Sequence, residues 1–286
     1  METKIRIALQ KKGRLNEDSM KLFKEAGIKF SVGSGKLVAS SASFPIEVLF
    51  LRDDDIPQTV ADGVADIGIV GENEMYEKGF DVDVVRKLGF GKCRLSLAIP
   101  KALEYEGLEW FAGKKIATSY PNILKKYFDE KGISADIHEI AGSVEIAPGI
   151  GLADAIFDIV SSGSTLVANR LKEVEVAMYS EAVLIAKKEL EPEKQELLDR
   201  LIFRINAVQA ATSNKYVLLN APNDKVDDIV KILPGMKSPT VLPLADEGWS
   251  SIHSVISEKE FWDVIDKLKS NGAQGILIIP IEKMIL

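Results

Sequence analysis

The chain has 286 residues, enough for about two domains with sizeable cores. Its 46% hydrophobic and 28% charged residues describe an ordinary globular composition and exclude a disordered one. With 36 Lys and Arg against 43 Asp and Glu the net charge is −7, which argues against sequence-independent nucleic-acid binding and leaves any anionic ligand to local cations and backbone donors.

The opening METKIRIALQKKGRL lacks the apolar centre and cleavage site of a secretory leader. No apolar run reaches membrane-spanning length; Ile276 to Ile281, among the longest, fits a buried strand. The single cysteine, Cys93, cannot form an internal disulfide, which agrees with a reducing compartment. His138 and His253 lie far apart in sequence, so a His/Cys metal site is not expected. The expectation is a cytoplasmic chain with no membrane and no nucleic-acid partner.

In chain order, Ile5 to Leu9 reads as a strand, followed by Gln10-Lys11-Lys12-Gly13-Arg14 and a helix from Asn16 to Ala26. Asn16 can cap that helix, with Ser19 and Glu25 facing water. Cations around a glycine at a strand end suit a phosphate, because the turn can approach closely without a Cβ; a solvated basic turn is the plain alternative. Ile46 to Leu51 is a second strand, ending in Arg52 and an acidic turn, with Asp55 at the cap and Pro57 in the first turn of a helix. A guanidinium at position 52 points into the crevice where open α/β sheets bind ligands.

Gly63-Val64-Ala65-Asp66 precedes the apolar run Ile67 to Val70 and the turn Gly71-Glu72-Asn73. Gly151-Leu152-Ala153-Asp154 likewise precedes an apolar run, Ala155 to Val160, and the turn Ser161-Ser162-Gly163. The repeat predicts two similar α/β lobes, each delivering a loop to one cleft. Between them, Cys93 to Ile99 is a strand entering the second lobe and Lys115 to Thr118 another, with Pro121 opening a helix through Lys131. Tyr120, at that strand end, either packs or stacks on a ligand ring.

The stretch Glu145 to Leu166, EIAPGIGLADAIFDIVSSGSTL, carries the most chemistry. A strand emptying into Ser161-Ser162-Gly163-Ser164-Thr165 collects backbone N–H groups and hydroxyls for an anion, with Leu166 to Leu171 starting a helix. Asp154 and Asp158 add carboxylates for ribose hydroxyls or a Mg²⁺ shell. A surface turn capping an ordinary helix is the plain alternative. Beyond it, Glu181 to Lys188 is a strand returning to the first lobe, and Glu193 to Asn206 a long helix. From about Thr212 the order is strand Lys215 to Leu219, helix Asp224 to Leu233, strands Pro239 to Leu244 and Ser251 to Ile256, helix Lys259 to Ser270 and strand Gly275 to Ile281. That βαββαβ order predicts a ferredoxin-like module with Phe261 and Trp262 in its core and Trp249 in a loop.

Glu145, Gly151, Ala153, Ile156, Asp158, Ile159, Ser162, Gly163, Thr165 and Leu166 stand at a spacing that resembles the signature of the ATP phosphoribosyltransferase family. The QKKGRL run at Gln10 to Leu15 and the TSYP run at Thr118 to Pro121 resemble the same family, and the likeness extends from about Ile5 to Met284. It implies an α/β fold: a two-lobed, periplasmic-binding-protein-like catalytic core plus a C-terminal ferredoxin-like regulatory domain. Lobe I would take residues 1–92 and 181–211, lobe II 93–180 and the regulatory domain 212–286.

The implied reaction moves phosphoribose from phosphoribosyl pyrophosphate to N1 of ATP, the first step of histidine biosynthesis, with histidine as feedback inhibitor. Lys11, Arg52, Asp154 and Asp158 would be catalytic. Ala155, Ser161, Ser162, Gly163, Ser164, Thr165 and Leu166 would bind phosphoribosyl pyrophosphate, and Arg14, Asp66, Gly71, Glu72, Tyr120 and Glu145 would bind ATP. Mg²⁺ would ride on the pyrophosphate with few protein ligands. Asn220, Thr240, Ala273 and Gly275 would meet histidine between subunits of a dimer-based hexamer, although some relatives carry an acidic residue in place of Asn220. Two rivals use the same cleft: a solute-binding protein with a sensor module, and a catalytically silent regulatory subunit.

Overall fold

A computed structural model describes residues 3–31, 37–233, 235 and 238–286. The chain divides into two compact units, Met1–Lys21 with Ile28–Leu198 and Leu22–Gly27 with Asp199–Leu286. It opens with β1 (Ile5–Gln10), α1 (Arg14–Glu25), β2 (Val38–Ser40), β3 (Ile46–Leu51), α2 (Ile56–Ala61), β4 (Ile67–Gly71), α3 (Glu72–Lys78) and β5 (Val82–Lys87). Then come β6 (Cys93–Pro100), β7 (Lys115–Thr118), α4 (Pro121–Lys131), β8 (Asp136–Glu139), β9 (Ala155–Val160) and α5 (Ser164–Ala168). The strands β10 (Leu171–Ser180) and β11 (Ala182–Lys187) lead to α6 (Pro192–Ser213).

The first unit holds two sheets, ordered β2-β3-β1-β4-β11-β5 and β10-β6-β9-β7-β8. In one, β1 lies parallel to β3 and β4, and antiparallel β11 follows. In the other, β7 lies parallel to β8 and β9, and antiparallel β6 follows. Leaving β2 aside, the orders β3-β1-β4-β11-β5 and β8-β7-β9-β6-β10 correspond in pairing and direction, so the repeat in the sequence is a repeat of lobes. Parallel strands covered on both faces need continuous apolar runs, and the first four residues of β4 are all buried.

The two G-x-A-D motifs do the same job in each lobe. Asp66 Oδ2 accepts the Arg6 N–H at 2.8 Å, and the Asp66 N–H reaches the Arg6 carbonyl at 2.9 Å. Asp154 Oδ2 accepts the Lys115 N–H at 2.9 Å, and the Asp154 N–H reaches the Lys115 carbonyl at 2.8 Å. Each aspartate pins the start of β4 or β9 to the start of the neighbouring parallel strand. Asp66 is buried and also pairs with Lys194 Nζ at 2.9 Å.

The lobes join through α3 and α4. Pro121 has no N–H at the first position of α4, and the next two, on Asn122 and Ile123, donate to the Glu77 carboxylate at 3.0 Å each. Asn122 Nδ2 returns a bond to the Glu77 carbonyl at 3.0 Å. Nearby, Ser180 Oγ bonds Asn73 Oδ1 at 2.8 Å, and Tyr120 Oη donates to Glu74 at 2.9 Å.

The second unit contains β12 (Asn214–Pro222), α7 (Val226–Ile232), β13 (Thr240–Pro243), β14 (Trp249–Ser257), α8 (Glu258–Ser270) and β15 (Gln274–Pro280). Its sheet order, β13-β14-β12-β15, is antiparallel throughout and ferredoxin-like. Val217, Leu219, Ile229, Ile252, Phe261 and Leu268 form its core.

Several expectations need correction. The first helix begins at Arg14, and Asn16 lies inside it, its amide donating to the Gln10 carbonyl at 2.6 Å rather than capping. Ser19 is buried, with its hydroxyl returned to the Leu15 carbonyl at 2.6 Å. The helix expected from Leu166 to Leu171 is instead the end of the five-residue α5, and Leu171 opens the strand β10. Trp262 is 64% exposed and contributes little to the core; Trp249 begins β14. The Ile276 to Ile281 run is not buried: β15 is an edge strand with Leu277 53% exposed. The long helix α6 runs on to Ser213, and the compact units divide within it.

Asp66→Ala strips a buried N–H of its acceptor and leaves Lys194 without its carboxylate, so it should cost about 1–3 kcal/mol in urea unfolding. Asp154→Ala acts at an exposed position and should cost less. Equal losses, or the reverse order, would show that the two pins are not distinguished by burial.

Candidate active site

The C-terminal end of β9 carries the loop that the sequence singles out. Gly163 takes φ +79° at the start of α5, a left-handed conformation that a branched residue adopts only with strain. The Ser162 and Ser164 hydroxyls sit 3.0 Å apart across the turn, and the Val167 N–H returns to the Gly163 carbonyl at 3.2 Å. A cavity of about 270 Å³ opens here, lined by Glu145, Asp158, Ser161, Ser162, Gly163, Thr165 and Leu166 among others. Leu166 closes its floor as part of the apolar cluster with Ile156 and Val160.

Asp158 faces this cavity from within β9. Burial, with the Glu145 carboxylate adding to it, raises its pKa to about 6, despite a bond from the Ile159 N–H at 2.7 Å. Asp154 and Ala155 do not join it. They stand at the N-terminal end of a six-residue strand, roughly 20 Å from the loop at the usual rise of a β-strand. The catalytic role expected for Asp154 is therefore replaced by the strand pin, and Ala155 is a fully buried core residue.

On the first lobe, Lys11 and Arg14 flank Gly13, whose φ is +100°, beyond the end of β1. The Lys11 N–H bonds the Leu51 carbonyl at 2.7 Å, which brings the Lys11 turn beside Arg52. Lys11 and Arg14 are exposed, and the Arg52 guanidinium lies against Asp54 at 3.2 Å. Gly71 and Glu72 follow at the end of β4. Glu72 is buried and paired with Lys87 Nζ at 3.2 Å, and a Cβ on Gly71 would meet Asn73 Oδ1 at 2.4 Å. Asp66 is at the other end of β4, held by Arg6 and Lys194, which removes it from an ATP site in this cleft.

Tyr120 is a packing residue with a polar tip, not an open stacking platform. Its ring is buried in the second-lobe core, and its hydroxyl is held across the lobes by Glu74. Burial, with the Glu74 carboxylate beside it, pushes its pKa well above the usual phenol range; Asp158 and Asp53 act in the same direction. Tyr120 thus joins the two lobes, its ring in one core and its hydroxyl on the other lobe's Glu74. Glu74 itself is raised, by burial first and by Asp53 and Asp54 further down. Sequence reasoning missed Asn73, Glu74, Glu77 and Ser180, because cross-lobe partners from 45 to 107 residues apart leave no local pattern.

Among the described residues, no group of three or more His, Cys, Asp or Glu is arranged to hold a metal ion, and no helix is long and apolar enough to cross a membrane. In the second unit, Asn220, Ala273 and Gly275 lie together: a Cβ on Gly275 would meet Asn220 Nδ2 at 3.5 Å. Thr240 is apart from them, exposed on β13 at the opposite edge of the sheet.

The ATP phosphoribosyltransferase family profile matches residues 52–207, and the profile of its C-terminal domain matches residues 211–283. Over 282 residues the chain is 65% identical to an ATP phosphoribosyltransferase of Phocaeicola vulgatus, covering 99% of this chain and 100% of that one. Among solved structures it resembles a chain of the ATP phosphoribosyl transferase (HisG:HisZ) complex from Thermotoga maritima, with TM-score 0.62 and 29% identity over 71% of this chain and 96% of that one. A histidine kinase sensor domain with similarity to periplasmic binding proteins, 13% identical over 73% of this chain and 91% of that one, shares the two-lobed fold at TM-score 0.50. With a profile spanning half its length and a full-length relative at that identity, the chain belongs to the ATP phosphoribosyltransferase family.

Proposed function

We propose that the chain transfers phosphoribose from phosphoribosyl pyrophosphate to N1 of ATP, releasing pyrophosphate, as the first step of histidine biosynthesis in the cytoplasm. The observation that carries this reading is the cavity at the end of β9, where hydroxyls, loop backbone and the Asp158 carboxylate meet. The 5-phosphate takes the donors of Ser161 to Thr165. The N1 lone pair forms a bond to C1 of the ribose as the C1–O bond to pyrophosphate breaks, so the ring becomes cationic and the leaving group gathers negative charge. Asp158 stands where an ionised carboxylate would stabilise that ring. Lys11, Arg14 and Arg52, at the ends of β1 and β3, serve the pyrophosphate and the ATP phosphates, where alignment and electrostatics supply the rate.

No covalent nucleophile is needed. In this reading Mg²⁺ rides on the pyrophosphate oxygens with few protein ligands. Incubation with ATP, phosphoribosyl pyrophosphate and Mg²⁺, read as pyrophosphate release, separates this function from solute binding or a silent subunit.

Histidine restrains the enzyme, in this reading, through the second unit of a hexamer. Support comes from its sheet, whose two edge strands both expose apolar side chains, Leu242 at 49% and Leu277 at 53%. Gly275 and Thr240 stand on the two opposite edge strands, with Asn220 on the inner strand beside Gly275, which suits a site completed between copies. Asn220→Asp would offer the ligand amino group a charged acceptor and should lower the half-inhibiting histidine concentration about tenfold in the full-length enzyme. An unmoved dose response in both Asn220→Asp and Asn220→Ala takes Asn220 out of the site.

Thr165→Ala removes one hydroxyl donor to a charged oxygen and should weaken phosphoribosyl pyrophosphate binding by roughly 1.5–3 kcal/mol. Gly163→Val should be worse, because the branched side chain must enter a left-handed conformation and disturb the whole turn. Normal substrate affinity in both folded variants would remove the loop from the mechanism.

Asp158 gives a pH signature of known sign. Its folded pKa is raised above 3.8 to about 6, so the folded protein holds the proton in a range where the unfolded chain has lost it. Stability therefore falls as pH rises through that window, and Asp158→Asn should flatten the slope. Turnover should move the opposite way, rising through pH about 6 as the carboxylate ionises. Asp158→Asn should have lower kcat without that acid limb, and Asp154→Asn should keep both kcat and profile.

A further inference from the structure

We infer that Arg94, fixed by Glu173, is a positioning residue that sets the Ser161–Thr165 loop and turns the Ser162 N–H toward the substrate phosphate. This rests on the assignment of that loop to phosphoribosyl pyrophosphate.

Arg94 is the second residue of β6, paired opposite Val160, the last residue of β9. Its Nη1 donates to the Ser161 carbonyl at 3.2 Å. Its Nε and Nη2 donate to the two oxygens of Glu173 at 2.5 and 2.6 Å, the paired fork that guanidinium and carboxylate make best. The fork to Glu173 and the bond to Ser161 engage each guanidinium nitrogen with protein, which ties the cation to the loop. Glu173 is held in turn: the hydroxyl of Ser96, 1% exposed, donates to its Oε1 at 2.6 Å. Arg94, with Ser96, draws the Glu173 pKa below the usual carboxylate range, so the pair stays ionised.

An irregularity in β10 delivers Glu173 to this place. Glu173 pairs with Ala98 and Glu175 with the adjacent Leu97, so Val174 is an extra residue. In a regular strand residues 173 and 175 would share a face. The bulge separates them: Glu175 accepts the Tyr105 hydroxyl at 2.6 Å, while Glu173 joins Arg94 and Ser96.

The consequence for the loop follows from peptide geometry. No peptide among the described residues is cis, so the Ser161 carbonyl and the Ser162 N–H point in opposite directions across a planar bond. Holding the carbonyl on Arg94 aims that N–H away from Arg94, and both serines line the cavity. Without Arg94 the peptide is free to rotate and present a carbonyl oxygen to the anion.

The test uses the full-length enzyme and KM for each substrate. Arg94→Gln should raise the phosphoribosyl pyrophosphate KM about tenfold and leave the ATP KM unchanged. Glu173→Gln should raise it less, and the double variant should match Arg94→Gln, since Glu173 acts through Arg94. Arg94→Lys, which keeps the charge without the fork, should fall between. Thr165→Ala is measured alongside. If it raises that KM while the Arg94 variants do not, the positioning role is wrong and the loop assignment stands; if neither moves it, both fall. A drop in phosphoribosyl pyrophosphate KM for Glu173→Gln would mean a freed Arg94 binds substrate directly, and equal KM rises for both substrates would mean general damage. Either result overturns the inference.

Discussion

Two lobes built on separate sheets make a catalytic site only if their strand ends are held face to face, and the Glu77 carboxylate supplies that constraint. It is a buried charge from the last turns of α3, and an unpaired carboxylate there would be strongly unfavourable. The first turn of α4 satisfies it with two N–H groups that the helix cannot bond internally. The arrangement also uses Pro121, which removes the donor Glu77 does not reach. Each lobe leaves groups unsatisfied that only the other can meet. The bonds of Tyr120 with Glu74 and of Asn73 with Ser180 extend the same junction, so the spacing of the cleft depends on a contiguous buried set rather than on the crossover strands alone.

The parts of the fold most legible in the sequence are those whose side-chain period reports burial. β3, β4, β7 and β9 are short apolar runs bounded by turns, and their limits lie within a residue of those read from the chain. β10 was hidden because its charged residues and its bulge break the alternation that identifies a strand. The repeated G-x-A-D motif revealed the paired lobes correctly and misdirected the chemistry. A polar residue next to a functional loop in sequence can be a full strand-length away in space, as Asp154 is from Ser161. Asp158, within the strand and two residues from its end, does reach the cavity. Cross-lobe partners such as Glu77 and Asn122 have no sequence signal at all, since their meeting is a product of the tertiary fold.

Electrostatically, the site handles polyanions without a basic surface. The chain is net acidic, and several of its cations near the cleft are matched by carboxylates: Arg52 with Asp54, Lys87 with Glu72, Arg94 with Glu173. The loop after β9 offers hydroxyls and backbone instead. Neutral donors fixed by the fold are already oriented, so they need little reorganisation to meet an anion. The exposed cations Lys11 and Arg14 stand on the other lobe, so the hydroxyl loop and these cations are divided between the lobes.

That division has a counterpart along the strands. In both lobes the N-terminal ends of the parallel strands are closed by an aspartate locked onto the neighbouring backbone, Asp66 on Arg6 and Asp154 on Lys115. The C-terminal ends carry the loop after β9, the cations Lys11 and Arg52 and the raised carboxyl group of Asp158, with Glu74 in the helix that follows β4. The raised carboxyl groups are therefore at one end of each sheet, while the carboxylates at the other end are matched by the neighbouring strand. The polarity follows from the parallel topology, since all carbonyl ends of the central strands emerge on one side and the connecting helices begin there. One motif in the sequence thus marks both lobes, with each loop one strand further on.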